Sequence, residues 1–333
     1  MAEVCCGLAT WSWVGKGAGI STGPVIDSDE WCCAQCEQLG QEAFCLSLED
    51  PDAWETLYTA RPWAVVGSPP CPPFSQAGAR KGWADCRSQV TLWCAVSAIL
   101  SGARVFVLEQ VPEFAASWSP LWLLCRAAGW IIQAAPVSSH PFAAAQRNRL
   151  VVFGAPDSDA GSEWLCQVTR ALASLRQGVA PNAVAEGSVV LEWMGPETAI
   201  PFHWQPGLKD VRRIGPTGHF PCPTAAGTSL DMLARHAAGW SKCYGLLVEG
   251  PEGPRRLSLW ETGASMGSVP LPWPVKEAGR WLSALGNAIP TAIPGQALQA
   301  MQAVGGHHGR ALQYASQQRE RQRRSLPTKV DSS

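Results

Sequence analysis

The chain has 333 residues, of which 46% are hydrophobic and 16% are charged, and its formal net charge is −1. This composition is typical of a globular protein with a sizeable core and excludes a disordered chain. No apolar run reaches the roughly 18 residues that a membrane-spanning helix needs, and residues 1–4 lack the basic charge of a secretory signal. We therefore expect the 13 cysteines to remain mostly thiols in a reducing compartment.

Short apolar runs alternate with helical stretches over residues 1–154. Between the apolar runs, Asp85–Leu100 carries apolar residues at helical spacing. This alternation predicts an α/β fold with a mainly parallel sheet, in which ligands bind at the carboxyl ends of the strands. The candidate strands are Ala2–Cys6, Pro24–Asp27, Trp63–Gly67, Arg104–Glu109, Ile131–Val137 and Arg149–Gly154.

The alternation stops between residues 155 and 254, where proline and glycine are frequent and only 161–176 keeps a helical period. This segment indicates a second, smaller and irregular domain. Regular patterning returns over 255–304 and ends in a predicted helix, Pro290–Val304. The last segment, 305–333, is rich in arginine, which is typical of a flexible, solvated tail.

A proline-flanked cysteine is the most distinctive feature of the sequence. The strand Trp63–Gly67 runs into Ser68-Pro-Pro-Cys-Pro-Pro-Phe-Ser75, so that Cys71 lies on a loop at the carboxyl edge of the sheet. Because proline fixes φ, such a loop holds a side chain at a set position. The segment 67–75 resembles the Pro-Cys loop of the cytosine-5 DNA methyltransferases.

Four further segments resemble blocks of the same family, in the family's order. Glu109-Gln-Val111 is similar to a Glu-Asn-Val block, with Gln110 in place of asparagine, and Arg147-Asn-Arg149 is similar to an Arg-x-Arg block. Residues 256–267 resemble an Arg-x-Leu-Thr-x-x-Glu…Gly block, and Gly286-Asn-Ala-Ile-Pro290 resembles Gly-Asn-Ala-Val-Pro.

The resemblance covers most of the chain and implies a Rossmann-like, S-adenosylmethionine-dependent methyltransferase fold. It assigns 1–154 to the catalytic and cofactor-binding domain, 155–254 to a target-recognition region and 255–304 to the C-terminal part of the catalytic domain.

The same resemblance implies the chemistry of four residues. Cys71 is the nucleophile that attacks C6 of cytosine, and C5 can then accept a methyl group. Glu109 holds the N3 edge of the base. Arg149 and Arg147 hold the base oxygen and the loop, because guanidinium donors suit a planar partner. The target base in DNA must be flipped out of the duplex to reach these groups.

The resemblance also implies the residues that bind S-adenosylmethionine. The first loop, Cys5-Cys-Gly-Leu-Ala-Thr10, departs from the glycine-rich family pattern at Cys5, Ala9 and Thr10 but keeps Gly7. A second glycine cluster, 15–19, is a candidate to share its role. The cofactor-binding residues implied are Cys5, Gly7, Glu30, Trp31, Asp50, Pro70, Asn287 and Ala288.

The substrate is left open between DNA, which we favour, and tRNA, which some relatives methylate through similar loops. A catalytically impaired member that only binds nucleic acid is the third reading, motivated by the glycine-poor first loop and Gln110. The best candidate for a contact loop to the target is Lys209–Arg213, near His203 and His219.

We expect a monomer without a metal site, because Cys33 and Cys36 form a single C-x-x-C and a zinc site needs four ligands. No membrane partner is expected. The expected compartment follows the substrate, which is the nucleus in a eukaryotic host and otherwise the cytoplasm.

Overall fold

The computed structural model describes residues 1–75, 81–139, 145–177 and 278–305, together with short strands between 202 and 256. The strands are β1 Ala2–Val4, β2 Val25–Asp27, β3 Ala43–Cys45, β4 Ala64–Gly67, β5 Val105–Gln110, β6 Trp130–Ser138, β7 Ala145–Gln146, β8 Asn148–Pro156, β9 Phe202–His203, β10 Arg212–Arg213, β11 Phe220–Pro221, β12 Leu247–Gly250 and β13 Gly253–Arg256. The helices are α1 Thr10–Gly17, α2 Glu30–Gln38, α3 Pro51–Ala60, α4 Gln89–Leu100, α5 Ser119–Ala127, α6 Asp159–Gln177, α7 Ala278–Asn287 and α8 292–305.

A seven-stranded sheet forms the centre of the fold, in the order β3-β2-β1-β4-β5-β8-β6. The five strands from β3 to β5 are parallel, whereas β8 is antiparallel to both β5 and β6. The prediction of an α/β fold with a mainly parallel sheet is confirmed. The chain moves outward from β1 to β3 and then returns to β4, so the strand order reverses between β1 and β4. Such a switch point opens a crevice at the carboxyl ends of the strands.

Both faces of the sheet are covered. Along β5, Phe106 and Leu108 belong to the core on the side of α3, α4 and α5, whereas Val105 and Val107 belong to the core under α1, α6 and α8. Successive side chains of a strand point to opposite faces, so a strand buried on both sides consists of continuous apolar residues. None of the described helices is both long and apolar enough to cross a bilayer.

Helix α6 packs against β6 and β8, although it lies beyond the predicted domain boundary at residue 154. Trp164, Leu165 and Val168 are buried on the sheet together with Phe153. The unit packed on the central sheet therefore extends at least to the end of α6. Helical periodicity alone did not reveal which sheet this helix covers.

Other elements differ from the prediction in number and bounds. The predicted helix Asp85–Leu100 begins with a 3₁₀ turn over Cys86–Ser88, where the Asp85 side chain accepts a hydrogen bond from the Arg87 amide, and continues as α4. Strand β3 was not predicted because it is only three residues long and partly exposed. The predicted C-terminal helix Pro290–Val304 is observed over 292–305.

Candidate active site

A cavity of about 350 Å³ lies at the carboxyl ends of β1, β2, β4 and β5. Its lining unites residues that are up to 286 positions apart in the sequence, including all four predicted catalytic residues and five of the eight predicted cofactor residues. These nine residues are Cys5, Gly7, Pro70, Cys71, Glu109, Arg147, Arg149, Asn287 and Ala288. The crevice expected from the strand order is therefore the place where the predicted groups meet.

The Pro-Cys loop, defined here as residues 68–75, is held by contacts from outside itself. Proline has no backbone N–H, so this loop has few donors of its own. The side-chain amide of Gln110 donates to the Pro69 carbonyl at 3.1 Å and lies 3.4 Å from the Pro70 carbonyl. Gln110 is fully buried. The glutamine that replaces the family's asparagine therefore anchors the loop to the end of β5.

Within the loop, a turn fixes the segment that follows Cys71. The Cys71 carbonyl accepts hydrogen bonds from the amides of Phe74 and Ser75, both at 2.9 Å. The Phe74 ring packs edge-on against Phe114 and Trp83, with centroids 4.9 and 5.4 Å apart. The nucleophile candidate thus lies on a loop that is rigid on both sides.

Charged side chains surround the Cys71 thiol. Glu109 and Arg149 form an ion pair in which Oε1 and Nε are 2.5 Å apart, with only 6% and 12% of the two side chains exposed. Arg147, which is 9% exposed, donates from Nη1 to the Ala288 carbonyl at 2.7 Å. Burial, and then the Glu109 carboxylate, raise the pKa of the Cys71 thiol, while Arg149 and Arg147 act in the opposite direction.

The first loop has an unusual backbone. Cys5, Gly7 and Ala9 have φ values of 49°, 52° and 53°. This left-handed region costs roughly 1–2 kcal/mol for a residue with a Cβ, so two of the three positions are strained. The Gly7 amide donates to the Asp27 carboxylate at 2.8 Å, which ties the loop to the end of β2. The second glycine cluster, 15–19, does not line the cavity.

Sequence reasoning missed Glu3, a buried carboxyl group on β1. Its two oxygens accept hydrogen bonds from the amides of Trp11 at 3.3 Å and Ser12 at 2.7 Å. Ala9 has no side chain able to cap α1, so Glu3 takes the role of the cap. Burial raises the pKa of Glu3 to about 7. The available signal was an acidic residue in an otherwise apolar strand next to the loop.

Three predicted cofactor residues do not line the cavity: Glu30, Trp31 and Asp50. Glu30 is exposed at the start of α2, and the Asp50 side chain caps α3 through the Asp52 amide at 3.3 Å. Their sequence neighbours Asp29, Ser47 and Glu49 line the cavity instead.

Trp31 packs against the C-terminal helix α7. Its ring lies edge-on to Trp281, with centroids 5.0 Å apart, and the Arg280 guanidinium lies 5.2 Å from the Trp31 ring centroid. The indole therefore serves the contact between α2 and α7, which sequence spacing alone could not show.

The C-x-x-C cysteines are buried thiols that bond to backbone carbonyls. Cys33 donates to the Asp27 carbonyl at 3.4 Å, and Cys36 to the Gly7 carbonyl at 3.3 Å. Across the described ranges, no group of three or more potential ligands could hold a metal ion. Most of the predicted contact loop 209–213 lies outside the described residues, and so does the block over 256–267 except Arg256.

Comparison with known proteins gives a family match for part of the chain. Residues 49–119, which contain both Cys71 and Glu109, match the family model described as C-5 cytosine-specific DNA methylase. Among curated proteins, no sequence gave a significant match.

Solved structures share the fold over almost the whole chain. The S. pombe Dnmt2 methyltransferase is 16% identical with a TM-score of 0.60, and the alignment covers 90% of this chain and 96% of that one. A Spodoptera frugiperda DNMT2 mutant is 13% identical with a TM-score of 0.57, covering 90% and 98%. The Entamoeba histolytica methyltransferase EhMeth is 13% identical with a TM-score of 0.54, covering 90% and 96%. Because the sequence identities are this low, the similarity to these structures establishes the fold of the chain.

Proposed function

We propose that this chain, a member of the C-5 cytosine-specific methyltransferase family, transfers a methyl group from S-adenosylmethionine to C5 of cytosine in DNA through a covalent adduct at Cys71. The observation that carries the proposal is the meeting of Cys71 with the Glu109–Arg149 ion pair in one cavity. A thiol nucleophile, a carboxyl group and guanidinium donors are the groups that activation of a pyrimidine ring requires.

In the proposed reaction the Cys71 thiolate bonds to C6 of the base, and the electron pair of the C5–C6 double bond moves towards C5. Glu109 supports this step by a hydrogen bond or proton at N3. S-Adenosylmethionine supplies the methyl group for C5. A water molecule or hydroxide then takes the C5 proton, the electron pair of that C–H bond re-forms the C5–C6 double bond, and the C6–S bond breaks. The thiolate that leaves is Cys71, which is then free for another turnover.

The two arginines have separate tasks in this proposal. Arg149 pairs with Glu109 and so sets the orientation of the carboxylate before the base arrives. Arg147 joins the start of β8 to the Ala288 carbonyl, which lies in the C-terminal block. A guanidinium fork suits both kinds of contact and a planar base, because its donors are fixed in one plane.

The residues at the other end of the cavity fit S-adenosylmethionine. Carboxylates of Asp27, Asp29 and Glu49 suit hydroxyl and amino groups, and Ile26 and Leu48 offer apolar surface to a ring. The volume of about 350 Å³ lies within the range of roughly 300–1,000 Å³ that is usual for small-ligand sites. Gly7 permits a close approach of the backbone to the ligand.

The support for DNA as the substrate is the family model, whose description names DNA. A base in a duplex reaches the cavity only after it is flipped out of the stack. RNA with an unpaired cytosine would need less distortion, so it is the second substrate to test.

The test uses DNA and RNA oligonucleotides that contain 5-fluorocytosine, together with S-adenosylmethionine. Fluorine does not leave as a proton does, so a working enzyme should remain bound to the base through Cys71. We expect a covalent adduct with wild type and with Cys86→Ser, which changes an exposed cysteine, but none with Cys71→Ser.

An adduct with RNA alone would replace DNA as the substrate. Cofactor binding without any adduct, across varied sequence contexts, would contradict catalysis and indicate a member of the family that only binds.

A further inference from the structure

A partly buried hydrogen bond joins helix α1 to the Pro-Cys loop. The indole Nε1 of Trp11 donates to the Ser68 hydroxyl at 3.1 Å, across 57 positions of sequence. Trp11 is fully buried. An indole N–H is a donor only, so Ser68 accepts this bond and its own hydrogen remains available to a second partner. A phenylalanine could fill most of the same space but could not make the bond.

The position of Trp11 is also fixed by strand β1, which lies next to β4 in the sheet. Its backbone amide donates to Glu3 at 3.3 Å, within the first turn of α1. This turn follows directly on the first loop, which contains Cys5 and Gly7 and lines the cavity. One residue therefore contacts both the strand that carries the first loop and the loop that carries the nucleophile.

Ser68 can move Cys71 because the chain between them is stiff. The two intervening residues are Pro69 and Pro70, and proline holds φ near −65°. Rotation about these two φ angles therefore cannot absorb a displacement at Ser68, so the displacement is transmitted towards Cys71. Gln110 holds the same two prolines through their carbonyl groups, so Trp11 fixes the start of the loop and Gln110 fixes its middle.

We propose that Trp11 is a positioning residue, which holds the Cys71 thiol beside Glu109 and Arg149 through the Ser68 hydroxyl. The effect of Trp11 on methyl transfer rests on the proposed function. Its effect on the position of the Cys71 thiol does not. A misplacement of about 1 Å can cost on the order of 100-fold in rate, so the loss of this single hydrogen bond is enough to be measured.

The experiment follows alkylation of Cys71 by iodoacetamide as a function of pH, with the Cys71 peptide quantified by mass spectrometry. The variants are Trp11→Phe, Ser68→Ala, their combination, and Ser68→Thr, which keeps the hydroxyl. Trp164→Phe is the matched control, since Trp164 is buried in the same core on α6 and packs on Phe153 away from the loop. Thermal unfolding of each variant reports stability separately.

We expect the midpoint of alkylation to fall towards the usual cysteine value of about 8.5 in Trp11→Phe and Ser68→Ala, because the thiol leaves the burial and negative charge that raise its pKa. The double variant should shift no further than Ser68→Ala, and Ser68→Thr and Trp164→Phe should match wild type. Single-turnover methyl transfer by Trp11→Phe should slow by about 10-fold or more.

Unchanged alkylation profiles in Trp11→Phe and Ser68→Ala would overturn the proposal, and so would an equal shift in Trp164→Phe. Alkylation needs neither cofactor nor nucleic acid. Its result therefore stands even if the wild-type protein transfers no methyl group, which would contradict the proposed function alone.

Discussion

The reactivity of a single residue, Cys71, depends on its neighbours more than on its own chemistry. Burial raises the pKa of the thiol first, the Glu109 carboxylate raises it further, and the two guanidinium groups lower it. The thiolate is the reactive form. Reaction at Cys71 should therefore accelerate as the pH rises, up to a midpoint above the usual cysteine range.

Replacing Glu109 should separate the reactivity of the thiol from catalysis. In Glu109→Gln the pKa of Cys71 falls because the negative charge is gone, so alkylation of Cys71 at neutral pH becomes faster than in wild type. If the proposed reaction takes place, methyl transfer should fall by at least about 100-fold, because Glu109 is the carboxyl group proposed to act at N3. Glu55→Gln, on the exposed side of α3, is the control. Slower alkylation in Glu109→Gln would contradict the charge argument.

Ala9 is a second residue whose properties follow from its backbone. It has φ 53° and ψ 45° without the freedom of a glycine. Ala9→Gly removes a strain of roughly 1–2 kcal/mol and adds roughly 0.5–1 kcal/mol of backbone entropy in the unfolded chain. We expect the free energy of unfolding to rise by up to about 1 kcal/mol, measured by urea denaturation. Ala18→Gly, at φ −89°, should not stabilise the protein.

At the scale of elements, α1 shows how a strand can complete a helix. A helix leaves its first amides without partners, and Ala9 cannot provide a cap. The Glu3 carboxylate on β1 accepts from two of these amides. A negative charge on Glu3 also interacts favourably with the positive end of the helix dipole, which lies at the N-terminus of α1. Strand, first loop and helix are therefore held as one unit at the edge of the cavity.

This unit should make stability depend on pH. Burial raises the pKa of Glu3 from 4.5 to about 7, so the folded state holds the proton more tightly than the unfolded state. The contribution of Glu3 to the free energy of unfolding is then greatest below about pH 4.5 and is lost as the pH rises through about 7.

Glu3→Gln removes this dependence. The free energy of unfolding of wild type, compared with that of Glu3→Gln, should therefore fall by on the order of 3 kcal/mol between acidic pH and a pH above neutral. Thermal unfolding over the pH range measures it, with Glu37→Gln on α2 as the control for loss of a carboxylate. If the midpoints of thermal unfolding of wild type and Glu3→Gln changed with pH in parallel, the assignment of this pH dependence to Glu3 would be contradicted.

At the scale of the whole molecule, the C-terminal segment closes a core that the N-terminal segment begins. Helix α8 places Ile293, Ala297 and Met301 in the same buried cluster as Met1 and Trp11. Gln296 donates to the Ser138 carbonyl at 2.8 Å, across 158 positions. Residues from both ends of the described chain are thus needed to cover one face of the sheet.

A core assembled in this way should be sensitive at its C-terminal helix. Ile293 is completely buried, so Ile293→Ala should cost about 2–5 kcal/mol of unfolding free energy through lost burial and an unfilled cavity. Chemical denaturation measures this cost. Leu123→Ala is the control, because Leu123 is 58% exposed and its truncation should change little. Equal losses in the two variants would contradict the assigned packing.

The sequence by itself determined the features that depend on local pattern. Alternating apolar runs predicted the α/β class, because a strand buried on both faces must be continuously apolar. The resemblance of the Pro-Cys loop and of the Glu109, Arg147 and Asn287 blocks to those of a known family predicted residues that line one cavity. The family match over 49–119 agrees with the resemblance in the central blocks.

The tertiary structure alone decided which residues meet at a distance. The antiparallel placement of β8 between β5 and β6 leaves no local signal, since it depends on strand pairing and not on periodicity. The same holds for Glu3 as the cap of α1 and for Trp31 against Trp281 in place of the cavity. Hydrogen bonds such as Trp11 to Ser68 form only after the sheet has brought distant segments together, and no residue spacing along the chain encodes them.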